Sequence, residues 1–161
     1  MRKTVVLSVL FAAGVFAGTA YAGPDQTFLK KALEGDNSEM ALGKMAEQHG
    51  TSPRARDFGR MLHEDHASAK AKALQVAQSH GVSDTAEMAP EAKAEATKLA
   101  GLSGPAFDHE FARYMVRDHK KDIADFEKET RHGDAASAAL ARETLPDLRK
   151  HLKTAQQLAS R

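Results

Sequence analysis

The sequence contains no cysteine. Such a chain forms no disulfide, no thiolate metal site and no acylated lipoprotein cysteine, so its stability must come from packing alone. Aromatic residues are also few, at 6% of the chain. No segment alternates apolar and polar residues with period two, and Ala, Lys, Glu, Leu and Gln dominate, so the composition predicts helix almost throughout.

The chain also lacks an excess of either charge sign. It has 23 basic and 22 acidic residues, and the two signs are interspersed. Phosphate binding needs a concentrated basic face, so nucleic acid is not an expected partner. The sequence has no G-x-S-x-G elbow, no cysteine nucleophile and no phosphate-binding glycine loop. Catalysis therefore finds little support in the sequence.

The N-terminus has the three parts of a secretory signal. Arg2 and Lys3 precede the apolar run VVLSVLFAAGVFAG, and Ala20-Tyr21-Ala22 offers the small residues of a cleavage site. The run is shorter than the roughly 20 residues that span a bilayer, which disfavours the alternative of an uncleaved anchor. We expect residues 1–22 to be a signal peptide, residues 23–161 to form one domain, and the mature protein to be periplasmic or secreted, without a membrane span.

Capping residues and glycines divide the mature region into helices. The predicted helices run from an Asp25 cap to His49, from Ser52-Pro53 to His80, from Pro90 to Gly101, from Gly104-Pro105 to His132, and from an Asp134 cap onward, with Pro146 kinking or splitting the last one. The connections between long helices are short. The pattern therefore predicts an all-α, antiparallel four-helix bundle with one short helix in its central crossover.

Part of the pattern is repeated along the chain. At a constant offset, Phe58, Arg60, Asp65 and His66 align with Phe111, Arg113, Asp118 and His119. A duplicated helical hairpin related by a pseudo-twofold axis is one explanation, and convergent helical composition is the other.

Each long helix places an ionisable residue on its apolar side, because successive helical residues turn by about 100°. These inward residues are Glu39 on the first helix, Asp65 and His66 on the second, Asp118 and His119 on the next long helix, and His151 on the last. Burying a lone charge costs several kcal/mol, so such groups must pair with one another or bind an ion. We therefore predict one polar cluster in the interior.

Three features of the sequence occur together: the LP-x-L-x-x-H pattern from Leu145 to His151, the two helices that carry Asp-His, and the segment SGPAFD from Ser103 to Asp108. In these features the chain resembles domain-of-unknown-function family 4142. The resemblance covers nearly all of the mature chain. It implies an exported helical protein placed with the ferritin-like bundles, and it implies no established activity.

Two interpretations of the cluster remain open. Ferritin-like bundles often hold paired iron or manganese ions through Glu-x-x-His motifs, but His66, His119 and His151 are not preceded by such a glutamate, so a di-iron centre is not expected. A mononuclear zinc, iron or copper site is chemically reasonable, with Glu39 and the three histidines as ligands and Asp65 and Asp118 as the carboxylates that orient them. Alternatively, Asp–His and Glu–His hydrogen bonds fix helix register without any ligand.

The sequence thus favours a non-catalytic binding or envelope-stress protein whose Glu/Asp/His cluster holds a transition metal. The alternative is a structural or interaction bundle, and a more distant one is a metal-dependent oxidoreductase. Besides the metal ion, a second copy of the chain or another envelope protein is the kind of partner to expect.

Overall fold

The computed structural model describes residues 23–160, so the expected signal peptide lies outside the described residues. Over this range helix is the only regular secondary structure, which confirms the all-α prediction. The helices are α1 (Pro24–His49), α2 (Pro53–Ser79), α3 (Pro90–Ala100), α4 (Gly104–His132) and α5 (Ala135–Ala159). Among the described residues, no helix is both long enough and apolar enough to cross a membrane.

Two of the three predicted helix caps are present. The Ser52 side chain accepts a hydrogen bond from the backbone of Ala55 at the start of α2, and Asp134 does the same for Ser137 in α5. The prediction for α1 is wrong, because α1 begins at Pro24 and Asp25 lies within its first turn. Pro24 already has the helical φ angle, and the Gln26 side chain accepts a hydrogen bond from the backbone N–H of Gly23.

The four long helices form two hairpins, α1–α2 and α4–α5, which pack against each other through α2–α5 and α1–α4. Hydrogen bonds at the two ends of the bundle fix the helix directions. At one end, Asp108 near the start of α4 accepts a hydrogen bond from the backbone N–H of Thr51, which follows α1. At the other end, Asp134 before α5 bonds to His80 after α2. Neighbouring long helices are therefore antiparallel, while α2 and α4 lie diagonally and parallel, joined by a crossover that contains α3.

The interior has two apolar clusters with a polar layer between them. The cluster near the α1–α2 loop is aromatic and includes Phe58, Phe107, Phe111 and Met115. The cluster at the opposite end includes Phe28, Leu29, Leu33, Ala73, Ala77 and Leu140. On each long helix, the inward ionisable residues fall in sequence between the members of these two clusters. The polar layer is thus shielded from water at both ends by packed side chains.

Glycines bring α1 and α2 unusually close together. A Cβ atom on Gly43 would lie 2.6 Å from the carbonyl oxygen of Gly59, and one on Gly59 would lie 2.5 Å from that of Gly43. The absence of a side chain at Gly43 therefore lets α2 approach α1 closely. Gly35 has no atom within 4 Å of such a Cβ, because it faces an open cleft.

Pro146 lies inside α5, which continues to Ala159 without a split. Proline has no N–H for the carbonyl of Arg142 one turn earlier. Both residues are exposed, so water can hydrate that carbonyl. The helix therefore carries Leu145, Leu148 and His151 on one continuous inner face.

Candidate metal centre

His66 occupies the inner face of α2 one turn after Leu62, and its side chain is 4% exposed. Its Nδ1 lies 2.9 Å from a carboxylate oxygen of Asp36 on α1. The carboxylate accepts this hydrogen bond, so Nδ1 carries the proton and Nε2 keeps its lone pair. Nε2 is buried and has no hydrogen-bond partner.

His151 occupies the inner face of α5, between Leu148 and Ala155, and is 1% exposed. Its Nε2 donates to Asp65 of α2 over 2.9 Å. Lys150 bonds to the same carboxylate at 3.1 Å. Although partial burial opposes it, these two contacts lower the pKa of Asp65, so the acceptor is an ionised carboxylate. The remaining nitrogen of His151, Nδ1, is buried and has no partner.

His119 is the most deeply buried of the three histidines, at 0% exposed. Its Nδ1 donates over 3.0 Å to the carbonyl oxygen of Met115, one turn earlier on α4. A carbonyl only accepts, so Nε2 of the neutral ring carries the lone pair. That atom is also buried without a partner.

The three histidines converge on one point inside the bundle. Their ring centroids are separated by 5.2 to 6.0 Å. Each ring offers one nitrogen, and the three nitrogens lie within 4.8 Å of one another. In each ring the opposite nitrogen is held by an oxygen acceptor, as in metal sites whose histidines are oriented by neighbouring carboxylates and carbonyls. The arrangement therefore fits three-imidazole coordination of a metal ion.

Burial also favours the neutral form of His119 and His151. It lowers the pKa of His119 well below its usual value, and the neighbouring rings of His66 and His151 add to this effect. Burial likewise lowers the pKa of His151, against the opposing hydrogen bond to Asp65. Only a neutral imidazole can donate a lone pair to a metal, so the site favours the metal-binding form.

Glu39 lies beside the histidines but joins a different group. Its carboxylate, one oxygen of Asp118 and the free nitrogen of His119 lie within 4.8 Å of one another. Glu39 is 1% exposed, and neither of its oxygens has a hydrogen-bond partner. Burial raises its pKa well above the usual value, and the negative charges of Asp118 and Asp122 raise it further.

A cleft between α1 and α4 reaches this polar layer. Its volume is about 740 Å³, and its wall includes Gly35, Asp36, His66, Asp118 and Asp122. Burial, followed by the charge of Asp118, raises the pKa of Asp122 to about 8. On the opposite side, a smaller cavity of about 80 Å³ touches Asp65, His66 and His151. Apolar side chains thus separate the polar layer from water at both ends of the bundle, while on one side the layer opens to a carboxylate-lined cleft.

The structure brings all six residues of the sequence hypothesis into one layer, with a different division of contacts. Asp65 orients His151 across helices, not its neighbour His66. Asp118 makes no hydrogen bond to a histidine; it accepts one from Tyr114 at 3.4 Å and faces Glu39. The sequence reasoning missed Asp36, which orients His66. Its spacing from Glu39, three residues or nearly one helical turn, was the available signal.

Comparison with known proteins identifies similar chains at the levels of fold and family. No curated protein matches the sequence. A solved structure described as CopM in the Cu(II)-bound form has 17% sequence identity and a TM-score of 0.70, and the similarity covers 84% of this chain and 95% of that one. At this identity the likeness shows a common helical-bundle fold. The family described as "Domain of unknown function (DUF4142)" matches residues 12–158, and the chain therefore belongs to the DUF4142 family.

Proposed function

We propose that this protein is an exported, non-catalytic metal-binding protein of the cell envelope. Its ligands are His66, His119 and His151, and Glu39 and Asp118 stand next to them. Two observations carry the proposal: the three histidines each offer a ring nitrogen within 4.8 Å of the others, and each has one buried ring nitrogen without a hydrogen-bond partner. Buried polar atoms are nearly always paired, so three such atoms facing one point call for a common partner.

The donor set narrows the choice of metal. Three neutral imidazoles beside carboxylates suit copper, zinc or iron, whereas calcium and magnesium prefer oxygen ligands throughout. Copper is the first metal to test, since CopM, which has the same fold, was solved with Cu(II) bound. The role that fits such a site is to hold or carry the ion, as part of copper handling or an envelope stress response.

The test is elemental analysis of mature protein purified without a histidine tag and loaded separately with copper, zinc and ferrous iron. We expect one ion per chain in the wild type and its loss in His66→Ala and His151→Ala. His109→Ala is the matched control, because His109 is exposed on α4 and takes no part in the cluster. A wild type that retains no metal, or a control that loses as much as the cluster variants, would contradict the proposal.

A purely structural role is the second candidate. Two specific contacts favour it, namely the bond from His66 to Asp36, which joins α2 to α1, and the bond from His151 to Asp65, which joins α5 to α2. These bonds set helix register even without a ligand. In that case the same alanine variants lower the free energy of unfolding while the wild type binds no metal.

We further infer that the bundle belongs to the ferritin-like class and that residues 23–161 are the mature domain. The long crossover between the diagonal helices α2 and α4 supports the first inference, because ferritin-like bundles have one such connection. The N-terminal sequence supports the second. Expression with the complete N-terminus, followed by mass spectrometry of the envelope fraction, should find a chain that begins at Gly23; an intact N-terminus would contradict it.

A further inference from the structure

His119 belongs to both groups of potential ligands. It stands with His66 and His151 in one and with Glu39 and Asp118 in the other, and within each group the ligand atoms lie within 4.8 Å of one another. Its Nδ1 is bonded to a backbone carbonyl, so Nε2 alone is free. One imidazole nitrogen has one lone pair and binds one cation at a time. The two groups therefore cannot both be complete at the same moment.

Asp118 and His66 both border the cleft, but Nε2 of His66 is buried. Asp118 forms part of the cleft wall and is half-buried. Behind it lie Glu39 and His119, which are 1% and 0% exposed. Both oxygens of Glu39 and Nε2 of His119 are buried without a partner. A buried carboxylate without a partner needs a proton or a cation, and Asp118 offers a carboxylate ligand in the cleft wall to a cation that enters there.

Building on the proposed function, we propose that Glu39, Asp118 and His119 form an entry station, which captures a hydrated divalent cation from the cleft and passes it to the three-histidine site. His119 stays bound during the transfer. The two carboxylate oxygens leave the ion, and nitrogens of His66 and His151 replace them. The ion keeps its charge and oxidation state throughout, so the step needs no redox partner.

The donor atoms of the entry station and of the three-histidine site differ enough to distinguish one metal from another. The entry station offers carboxylate oxygens and one nitrogen, a set that suits Mn²⁺ as well as later transition metals. The three-histidine site offers nitrogens only, which favour Cu²⁺ over Mn²⁺. Mn²⁺ should therefore stop at the entry station, where Glu39→Gln abolishes its binding and His66→Ala does not, while Cu²⁺ moves on.

The decisive experiment is stopped-flow mixing of Cu²⁺ with the metal-free full mature chain, followed by visible absorbance. The wild type should show two phases, the first with an oxygen-rich and the second with a nitrogen-rich ligand field, and one Cu²⁺ per chain at the end. Glu39→Gln should lose the first phase and take up Cu²⁺ about tenfold more slowly, yet reach the same final spectrum. His66→Ala should stop after the first phase, and its weakly held ion should be lost when the protein is separated from free metal for elemental analysis.

Asp125→Asn is the matched control, because Asp125 is an exposed acid in the wall of the same cleft. It removes one negative charge without removing a ligand of either station and should leave both phases intact. If Glu39→Gln does not fold, as judged by circular dichroism, Asp118→Asn makes the same test from a half-buried position.

Three results would overturn the entry station. They are wild-type kinetics in both carboxylate variants, an equal slowing in Asp125→Asn, and two Cu²⁺ ions per wild-type chain, which would mean independent sites. Each of these leaves the three-histidine site standing. A wild type that takes up no Cu²⁺ at all is a separate outcome, and it refutes the proposed function itself.

Discussion

Replacing Glu39 by glutamine should remove much of the pH dependence of stability from the metal-free protein. The substitution keeps the shape of the side chain and removes its titrating proton. In the folded protein burial raises the pKa of Glu39 well above normal, and Asp118 and Asp122 add to this. In the unfolded chain a glutamate titrates near 4.3. The folded state therefore holds a proton that the unfolded state has released over the window between the two pKa values.

The sign and size of the effect follow from this proton. A group with a raised folded pKa lowers the free energy of unfolding as the pH rises through the window, with a slope for one proton of about 1.4 kcal/mol per pH unit. Glu39 should thus reduce wild-type stability progressively as the pH rises from the pKa of the unfolded glutamate to the raised pKa of the folded one. The glutamine variant should lack this loss, and the slope that remains belongs to the other groups with shifted pKa values, among them Asp36, Asp122 and Glu129.

Urea unfolding in the presence of a chelator, at a series of pH values from about 4 to 8, measures the effect. The two proteins should be equally stable at the acid end, and the variant should become the more stable one as the pH rises. Glu64→Gln is the control, since Glu64 is an exposed acid on α2, and its profile should follow that of the wild type. Parallel profiles for wild type and Glu39→Gln would refute the argument that Glu39 is an uncompensated buried acid.

Two further predictions concern the scaffold. Gly59→Ala should destabilise the protein by about 2 kcal/mol in urea unfolding, because its Cβ would lie 2.5 Å from a backbone oxygen of α1. Gly35→Ala is the control, because its Cβ meets open space, and it should be neutral or stabilising by up to about 1 kcal/mol. Equal effects of the two substitutions on stability would argue against the close approach of α1 and α2. Asp108→Ala should lower the thermal midpoint and lose about 2 kcal/mol, because two backbone N–H groups, of Thr51 and Ser52, each lose an acceptor 2.8 Å away. Asp108→Asn keeps one carbonyl oxygen and should lose about half as much; an alanine variant as stable as the wild type would refute this role for Asp108.

Helical periodicity carried the fold prediction a long way. The 100° turn per residue was enough to place Glu39, His66, His119 and His151 on inner faces, because each lies one turn from a buried apolar residue of its own helix. Capping residues located most helix ends for a similarly local reason. The exception was the start of α1, where the fixed φ of Pro24 and the side chain of Gln26 begin the helix before Asp25.

Periodicity could not predict which polar groups pair between helices, because this pairing depends on how far one helix is displaced along its neighbour. The contact of Gly43 with Gly59 sets that displacement for α1 and α2, and it places Asp36 beside His66. The two Asp-His pairs look alike in sequence, yet Asp65 bonds to His151 on the neighbouring helix α5 while Asp118 borders a cleft. The repeat therefore predicted equivalent roles where the packing produces different ones.

The way the ligands are distributed between the two hairpins has a consequence for folding. Each hairpin is built from contacts between sequence neighbours, which form early and fast, whereas docking one hairpin on the other must also order the crossover that contains α3. His66 belongs to the first hairpin and His119 and His151 to the second. The three-histidine site does not exist until the hairpins have docked.

An ion bound at that site would consequently act as a reversible cross-link between the two halves of the molecule. The ion binds only the docked state, so it stabilises that state by a free energy that rises with the logarithm of the free ion concentration. It also slows the separation of the hairpins. In a chain without cysteine, resistance to unfolding and proteolysis would then depend on the supply of metal, whereas a disulfide stabilises many exported proteins permanently.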